Sequence, residues 1–296
     1  MKFSIIIALA PDRNAPVLES IETLDYHKEN YEIIIERGLN PSENRNKAGK
    51  KAKGEILAIV DDDCNLDKNW LKNAEEFFNK YPIDAVGGPQ LTPSSDNLFA
   101  KASGYVMSSI FGSFNMAARY KKGKLNLNAN EAYLTSANLF IKKQVFEKTK
   151  GFDLNLWPGE DPEFIYRLKK AGFKIAYSPD IIVYHKRRPT FKSFFKQFFS
   201  YGKQYVQYRN KALKKRISLL HTLPALFTLY LFLLPILYFV NLFFILPFIL
   251  YMLLNLMFSL SISFKNKNIL AFPYLPLLFF AIHISYGLGL VRGVFK

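Results

Sequence analysis

The chain has 296 residues, with 40 Lys and Arg against 24 Asp and Glu. This length allows one large domain or two small ones. The charge is unevenly distributed, because residues 186–216 hold 11 Lys or Arg and no acid, and residues 217–296 hold four and no acid. The basic run directly precedes a long apolar stretch. This arrangement favours binding to anionic membrane lipids and argues against a nucleic-acid-binding protein.

The N-terminal residues superficially imitate a signal peptide with an Ala-x-Ala cleavage site. The apolar stretch from Phe3 to Ala10 is short for such a peptide, and only Lys2 precedes it, so we interpret it as a first β-strand. The only cysteine, Cys64, leaves no intramolecular disulfide, which fits a reducing compartment.

Short apolar runs alternate with helical patterns over the first 185 residues. Strands are predicted at Phe3–Leu9, Glu32–Ile35, Ile56–Val60, Ala85–Gly88, Leu139–Ile141, Lys174–Tyr177 and Ile181–Tyr184. Helices are predicted at Val17–Leu24, from a Ser42 cap to Lys51, along Trp70–Phe78, and at Val145–Thr149 and Glu163–Ala171. We expect Pro89–Asn130 to form loops and short helices that cover a site. The alternation predicts an α/β fold with a mainly parallel sheet and helices on both faces.

The pattern changes after Thr190. Aromatic residues recur at helical spacing between lysines over 191–216, which predicts either a basic amphipathic helix at a membrane interface or a helix packed on the preceding domain. Three apolar tracts follow, each long enough to cross a bilayer: Ile217–Val240, Leu242–Ser263 and Ile269–Val291. Pro273 and Pro276 leave open that the third tract is re-entrant. We therefore predict two to three transmembrane helices within 217–296.

Three consecutive carboxylates, Asp61, Asp62 and Asp63, follow the apolar run Ile56–Val60. Ligands bind outside the carboxyl ends of strands in open α/β sheets, and hard divalent cations prefer oxygen ligands. The position thus favours a metal–diphosphate site, with an exposed acidic turn as the alternative.

A second acidic motif, Glu160-Asp161, follows Trp157-Pro158-Gly159, and His185 ends the last predicted strand. Acidic residues are favoured at a helix N-terminus by the helix dipole, so simple helix capping is the alternative interpretation of the Glu-Asp pair. A single histidine at a strand end is usually only exposed.

The order of the motifs resembles family 2 glycosyltransferases with the GT-A fold, over residues 1 to about 205. The motifs are Ser4-Ile5-Ile6-Ile7, Tyr31-Glu32-Ile33-Ile34-Ile35, Arg45-Asn46-Lys47, Ala52-Lys53-Gly54-Glu55, Asp61-Asp62-Asp63, Val86-Gly87-Gly88, Gly151-Phe152-Asp153, Gly159-Glu160-Asp161 and Tyr184-His185. The C-terminal tail is more loosely similar to membrane-attached bacterial exopolysaccharide transferases, including the succinoglycan type.

The resemblance implies an inverting transfer of one sugar from a nucleotide-diphosphate donor, with Mn²⁺ or Mg²⁺ as cofactor. Its implied metal ligands are Asp61, Asp63 and His185, and its implied catalytic residues are the base Asp161 and the supporting Glu160. The remaining implied contacts are Ala10, Glu36, Arg45, Asp61, Asp62 and Gly88 with the donor, and Asn138 and Trp157 with the acceptor. The resemblance also divides the chain into a GT-A catalytic domain (1–190), an interfacial helix (191–216) and a transmembrane region (217–296).

Two departures from the family pattern affect these expectations. Glu36 stands where the family usually has an aspartate near the nucleotide base. The Gln197–Tyr201 segment lacks the Arg and Trp of the Gln-x-x-Arg-Trp motif of processive synthases, which favours addition of a single sugar.

We expect a multi-pass protein of the cell membrane with a cytoplasmic catalytic domain and a lipid-linked or oligosaccharide acceptor. A polyprenyl-phosphate sugar synthase and a non-enzymatic nucleotide-binding scaffold are the alternatives.

Overall fold

We analysed a computed structural model of the chain, which describes residues 1–156, 159–209 and 219–295. Spatial contacts divide the chain into two units. The sheet unit comprises Met1–Pro93 and Asn115–Lys186, and the helical unit comprises Ser94–Phe114 and Arg187–Lys296.

Six strands of the described chain form the main sheet of the sheet unit. In chain order they are β1 (Phe3–Leu9), β2 (Tyr31–Arg37), β3 (Ile56–Asp61), β5 (Ala85–Gly87), β7 (Asn138–Lys142) and β8 (Ile175–Tyr177). Two further strands, β4 (Cys64–Leu66) and β6 (Gln90–Leu91), belong to a second sheet. The strand order is β2-β1-β3-β7-β5-β8.

Both faces of the main sheet are buried at its centre, which explains the continuous apolar runs of β1 and β3. Ile5 and Ile7 belong to the core on one face, and Ile6 belongs to the core on the other. The helices that pack over the sheet are α1 (Val17–Ile21), α2 (Pro41–Lys51), α3 (Trp70–Lys80), α6 (Lys143–Lys148) and α7 (Glu160–Lys170). The helices numbered α4 and α5 belong to the helical unit and are described with it.

The mainly parallel α/β architecture is confirmed, with one exception at β7. This strand runs antiparallel to both of its neighbours, β3 and β5, whereas β1 pairs in parallel with β2 and β3, and β5 pairs in parallel with β8. The sheet is therefore mixed.

The prediction that Ser42 caps α2 is wrong. Asn40 is the N-cap, and its side chain accepts hydrogen bonds from the backbone N–H groups of Ser42 and Glu43. Pro41 occupies the first turn, where its missing N–H costs no hydrogen bond.

A second, three-stranded sheet has the order β4-β9-β6, where β9 is Val183–His185. The sequence predicted a strand near β9, but it did not predict β4 or β6. Antiparallel pairing places Cys64 opposite His185, so this small sheet brings His185 next to the chain that follows Asp63.

The helical unit contains α4 (Leu98–Met107), α5 (Ile110–Ser113), α8 (Phe191–Tyr208), α9 (Leu219–Val240), α10 (Leu246–Lys265) and α11 (Tyr274–Val294). Helices α8 and α11 approach closely, because a Cβ atom at Gly202 would clash with the carbonyl oxygen of Tyr286. Phe194 and Phe198 of α8 are buried, while Phe191 and Tyr201 are exposed.

Within the described residues, three helical segments are long and apolar enough to cross a membrane: His221–Val240, Leu242–Lys265 and Tyr274–Val294. The first two expose most of their side chains, as helices facing lipid would. Residues 210–218 and Lys296 lie outside the described residues, and with them the predicted basic positions Lys211, Lys214, Lys215 and Arg216.

Candidate active site

The candidate site begins at the carboxyl ends of the parallel strands β1 and β3. In the register between them, Ala8 lies beside Asp61, and the chain turns through Asp62 and Asp63 before entering β4. Since the carboxyl ends of parallel strands share one edge of the sheet, residues that follow β1 and β3 lie close together.

Arg45 of α2 joins the two acidic motifs. Its Nη2 atom donates to Asp61 Oδ1 at 3.0 Å, and its Nη1 atom donates to Glu160 Oε1 at 3.0 Å. The Arg45 side chain is only 7% exposed. One buried guanidinium therefore holds together the end of β3 and the first residue of α7, which are about a hundred residues apart in the chain.

The acids around Arg45 stabilise its positive charge in this buried position. Burial opposes the charged guanidinium, but Asp61, Asp161 and Glu160 outweigh burial and hold the pKa of Arg45 above its ordinary value. Burial and the nearby charge of Asp161 raise the pKa of Glu160 to about 7, although Arg45 acts in the opposite direction. Glu160 is thus an acid whose protonation changes near neutral pH.

Asp161 lies in the first turn of α7, directly after Glu160. Among the described residues, its buried Oδ1 atom has no hydrogen-bond partner. Buried acceptors are normally satisfied, so an unpaired carboxylate oxygen beside a buried cation is a natural acceptor for a substrate hydroxyl.

Asp63 and His185 form a second contact between distant motifs, with Asp63 Oδ1 and His185 Nε2 3.0 Å apart. Ligand atoms of Asp63, Cys64 and His185 lie within 4.8 Å of one another. The carboxylate of Asp63 and the imidazole of His185 are ligand types that divalent metal ions accept. Asp61 is engaged by Arg45 and lies outside this group.

Gln90 of β6 contacts His185 on the ring nitrogen that does not face Asp63. Its Oε1 atom lies 3.2 Å from His185 Nδ1, and its Nε2 atom donates to Thr135 Oγ1. The two ring nitrogens of His185 thus face different partners, Nδ1 facing Gln90 and Nε2 facing Asp63. Such an outer partner fixes the orientation of a metal-binding histidine.

Arg13, four residues beyond β1, contacts the other two acids of the triplet. Its Nε atom lies 3.0 Å from Asp62 Oδ2, and its Nη2 atom lies 3.2 Å from Asp63 Oδ2. Burial raises the pKa of Asp62 to about 6. Burial acts in the same direction on Asp63, but His185 and Arg13 outweigh it and keep the pKa of Asp63 well below its usual range.

The other predicted donor contacts are more dispersed. Ala10 is exposed directly after β1, and Glu36 lies in β2, where Lys51 Nζ is 2.6 Å from its carboxylate. Gly88 is buried, and a Cβ atom there would clash with the carbonyl oxygen of Ile181. Close backbone packing alone therefore accounts for glycine at this position.

Asn138, one of the two predicted acceptor contacts, is buried at the start of β7. Its side chain accepts from Trp70 Nε1 at 2.9 Å and donates to the carbonyl oxygen of Ile181 at 2.8 Å. These bonds give Asn138 a structural role, and its contact with an acceptor stays a prediction. Trp157, the other predicted acceptor contact, lies outside the described residues.

Sequence reasoning missed Arg13, Gln90 and Cys64 as members of this region. Arg13 had a usable signal, because it follows a strand whose carboxyl end adjoins that of β3. Gln90 had none, because the two-residue strand that carries it has no periodic pattern.

Curated relatives of this chain include glycosyltransferases. The chain is 29% identical over 181 residues to "Glycosyltransferase AglE" of Haloferax volcanii, covering 60% of this chain and 55% of that protein. It is 25% identical over 222 residues to a "Dolichyl N-acetyl-alpha-D-glucosaminyl phosphate 3-beta-D-2,3-diacetamido-2,3-dideoxy-beta-D-glucuronosyltransferase" of Methanococcus voltae, covering 62% and 66%. The chain thus spans less than two thirds of the length of these relatives.

Among solved structures, the mannosyltransferase PcManGT of Pyrobaculum calidifontis, in complex with GDP-Man and Mn²⁺, matches with a TM-score of 0.50. The identity is 14%, and the match covers 72% of this chain and 65% of that one. This likeness supports the GT-A fold. The family described as "Glycosyltransferase like family 2" matches residues 33–200, more than half of the chain. The chain belongs to glycosyltransferase family 2.

Proposed function

We propose that this chain is a metal-dependent, inverting glycosyltransferase that moves one sugar from a nucleotide-diphosphate donor to a lipid-linked or saccharide acceptor. The observation that carries the proposal is the pair of 3.0 Å hydrogen bonds from Arg45 to Asp61 and Glu160. They put the predicted donor-binding acids and the predicted catalytic acids in one cluster.

Asp63 and His185 would hold the divalent ion. Asp61 would be the third protein ligand, beside the diphosphate of the donor. A bound Mn²⁺ or Mg²⁺ supplies positive charge that stabilises the diphosphate as it leaves. Arg13 contacts Asp62 and Asp63 at the same turn and is a second source of positive charge beside a diphosphate. The structurally similar PcManGT was solved with GDP-Man and Mn²⁺, which supports this donor class.

Asp161 is the proposed general base. Its unpaired Oδ1 atom would accept the proton of an acceptor hydroxyl as the hydroxyl oxygen attacks the anomeric carbon of the donor sugar. The bond between that carbon and the diphosphate oxygen breaks in the same displacement, and the nucleoside diphosphate leaves. A single displacement inverts the configuration at the anomeric carbon. Glu160 supports the base by binding Arg45.

We propose that α9 and α10 span the cell membrane, with the catalytic domain and the basic segment 186–216 on the cytoplasmic side. Lys and Arg near membrane spans favour that side and bind anionic lipids. The dolichyl phosphate in the name of the Methanococcus voltae relative supports a lipid-linked acceptor. Membrane anchoring would keep the active site close to such a substrate.

The function is tested by sugar transfer with the full chain in membranes, using Asp161→Asn against the matched control Asp180→Asn. Asp180 is an acid of the same unit whose side chain is 64% exposed. Loss of a general base lowers turnover by about 10²–10⁴-fold, and we expect this loss only for Asp161→Asn, with donor affinity retained. Unchanged turnover in Asp161→Asn would remove Asp161 from the mechanism.

The acceptor class is tested by comparing bare polyprenyl phosphate with a diphosphate-linked saccharide. A phosphate acceptor is already ionised at neutral pH and needs no general base, whereas a saccharide hydroxyl needs one. Because Asp161 is the proposed general base, we expect transfer to the linked saccharide. Exclusive transfer to bare polyprenyl phosphate would identify a polyprenyl-phosphate sugar synthase. Thermal unfolding with a panel of nucleoside diphosphates and Mn²⁺ identifies the nucleobase of the donor. A ligand that binds the native state raises the apparent stability of the protein, so the preferred nucleotide gives the largest shift.

A further inference from the structure

The segment Ser94–Phe114 groups with the C-terminal helices, although it lies in sequence between two parts of the sheet unit. Sequence reasoning predicted loops and short helices here that cover the site. The segment does contain two short helices, α4 and α5, joined by a short link at Ser108 and Ser109, and both belong to the helical unit. The prediction that the segment covers the site stays a prediction.

The ring of Phe111, in α5, lies among aromatic side chains of α10 and α11. It stacks on Phe258 with ring centres 4.8 Å apart and an interplanar angle of 6°. Its ring centre also lies 5.0 Å from that of Phe279 and 5.8 Å from that of Tyr251. Helix α5 therefore packs against both α10 and α11, which are long and apolar enough to cross a membrane.

The stacking partner of Phe111 on α10 gives its position along that helix. Phe258 lies seven residues before Lys265, the end of α10 that connects to α11. At 1.5 Å per residue this is about 10 Å from that end, or about a third of the hydrocarbon core that α10 would span. The ring centre of His283, in α11, lies 4.9 Å from that of Phe111.

Both backbone hydrogen-bonding groups of Phe111, in α5, have partners within the protein. His283 Nε2 lies 2.8 Å from the carbonyl oxygen of Phe111, and His283 Nδ1 lies 2.9 Å from Tyr251 Oη. The side chain of Ser109 accepts from the backbone N–H of Phe111 at 3.2 Å. Irregular backbone at membrane depth is tolerated only where the protein supplies such partners or a water-filled cavity does.

The turn is also tightly built. A Cβ atom at Gly112 would clash with the carbonyl oxygen of Val106 in α4, so only glycine lets α5 fold back on α4. Phe114 ends α5 with φ of 47°, a conformation that bulky residues rarely adopt. Two large apolar side chains remain exposed at this turn, Ile110 at 58% and Phe114 at 42%.

We infer that Ser94–Phe114 is a re-entrant element whose turn, Ile110–Phe114, inserts into the membrane and contacts its hydrocarbon interior. The inference rests on the proposed membrane location of α9 and α10. Lipid is the partner because the turn adjoins α10 about 10 Å from its Lys265 end, leaves Ile110 and Phe114 exposed, and has both backbone groups of Phe111 hydrogen-bonded within the protein.

The test uses the full chain in phosphatidylcholine–phosphatidylglycerol vesicles, with an environment-sensitive NBD fluorophore on single cysteines in a Cys64→Ser background. The test variants are Ile110→Cys and Phe114→Cys. Leu39→Cys, 84% exposed in the sheet unit, is the aqueous control, and Phe232→Cys, 70% exposed in α9, is the membrane control. Two test positions keep the result interpretable when one variant does not fold.

We expect the fluorophores at Ile110, Phe114 and Phe232 to emit at shorter wavelength than the one at Leu39. Lipids with a nitroxide on the acyl chain should quench these three, and aqueous iodide should quench only the fluorophore at Leu39. Iodide quenching at Ile110 and Phe114, with lipid quenching at Phe232, would overturn the re-entrant element and leave the membrane anchor intact. Iodide quenching at all four positions would overturn both.

Discussion

Replacing Arg45 by methionine should expose how strongly the two acidic motifs depend on one cation. The substitution keeps a similar side-chain length and removes both 3.0 Å hydrogen bonds, to Asp61 and to Glu160. Removing one partner of a buried ion pair costs about 3–5 kcal/mol, because it leaves uncompensated buried charge. We expect a loss of that size in the unfolding free energy of the sheet unit at pH 8.

The loss should depend on pH. Glu160 already has a raised pKa of about 7 in the native state, and removing Arg45 raises this pKa further. A carboxyl group with a raised native pKa stabilises the fold at low pH, and that contribution is lost as pH rises through the native pKa. Arg45→Met should therefore be much less harmful at pH 5.5, where Glu160 is protonated, than at pH 8.

The assay is unfolding of the full chain in detergent at both pH values, followed by tryptophan fluorescence in a Trp157→Phe background, which leaves the buried Trp70 as the reporter. Lys47→Met on the same helix is the matched control, since Lys47 forms an exposed pair with Glu43 and such pairs contribute at most about 1 kcal/mol. Equal stability of the two variants at pH 8, or a loss for Arg45→Met that does not change with pH, would refute the reasoning.

Three further predictions concern the same site. Glu160→Gln should flatten the fall in stability between pH 4.5 and about 7, which a pH series of thermal unfolding measures; an unchanged slope would assign the titration to another group. Gln90→Leu should weaken Mn²⁺ binding about 10–100-fold in titrations followed by electron paramagnetic resonance, and equal affinity would show that Gln90 does not orient His185. Arg13→Met should weaken binding of a nucleoside diphosphate with Mn²⁺ by calorimetry, whereas unchanged affinity would limit Arg13 to a contact within the free protein.

The sequence predicted those parts of the fold that have a strong local signal. The run Ile5-Ile6-Ile7 indicates a strand buried on both faces, and the structure places its neighbours in opposite cores. Asp61 could be placed because a strand end in a parallel sheet is a fixed location. By contrast, the antiparallel direction of β7 depends on where the chain returns, and no residue of Asn138–Lys142 encodes it.

The remaining features depend on contacts between distant segments. Cys64–Leu66 has no periodic pattern and forms a strand only because Val183–His185 pairs with it. Asn40 caps α2 in place of Ser42, a difference of two residues that local capping preferences do not resolve. Residues 94–114 mix serine, small and aromatic residues without a long apolar run, and packing with the C-terminal helices assigns them to the helical unit.

The most direct test is the position of Mn²⁺ and donor in crystals grown with a nucleoside-diphosphate sugar, found from the anomalous scattering of manganese. The account predicts a manganese peak bound by Asp63 and His185, with the diphosphate on the ion and the sugar beside Asp161. Manganese and donor bound away from the end of β3, or a donor sugar on the far side of the sheet unit from Asp161, would contradict it.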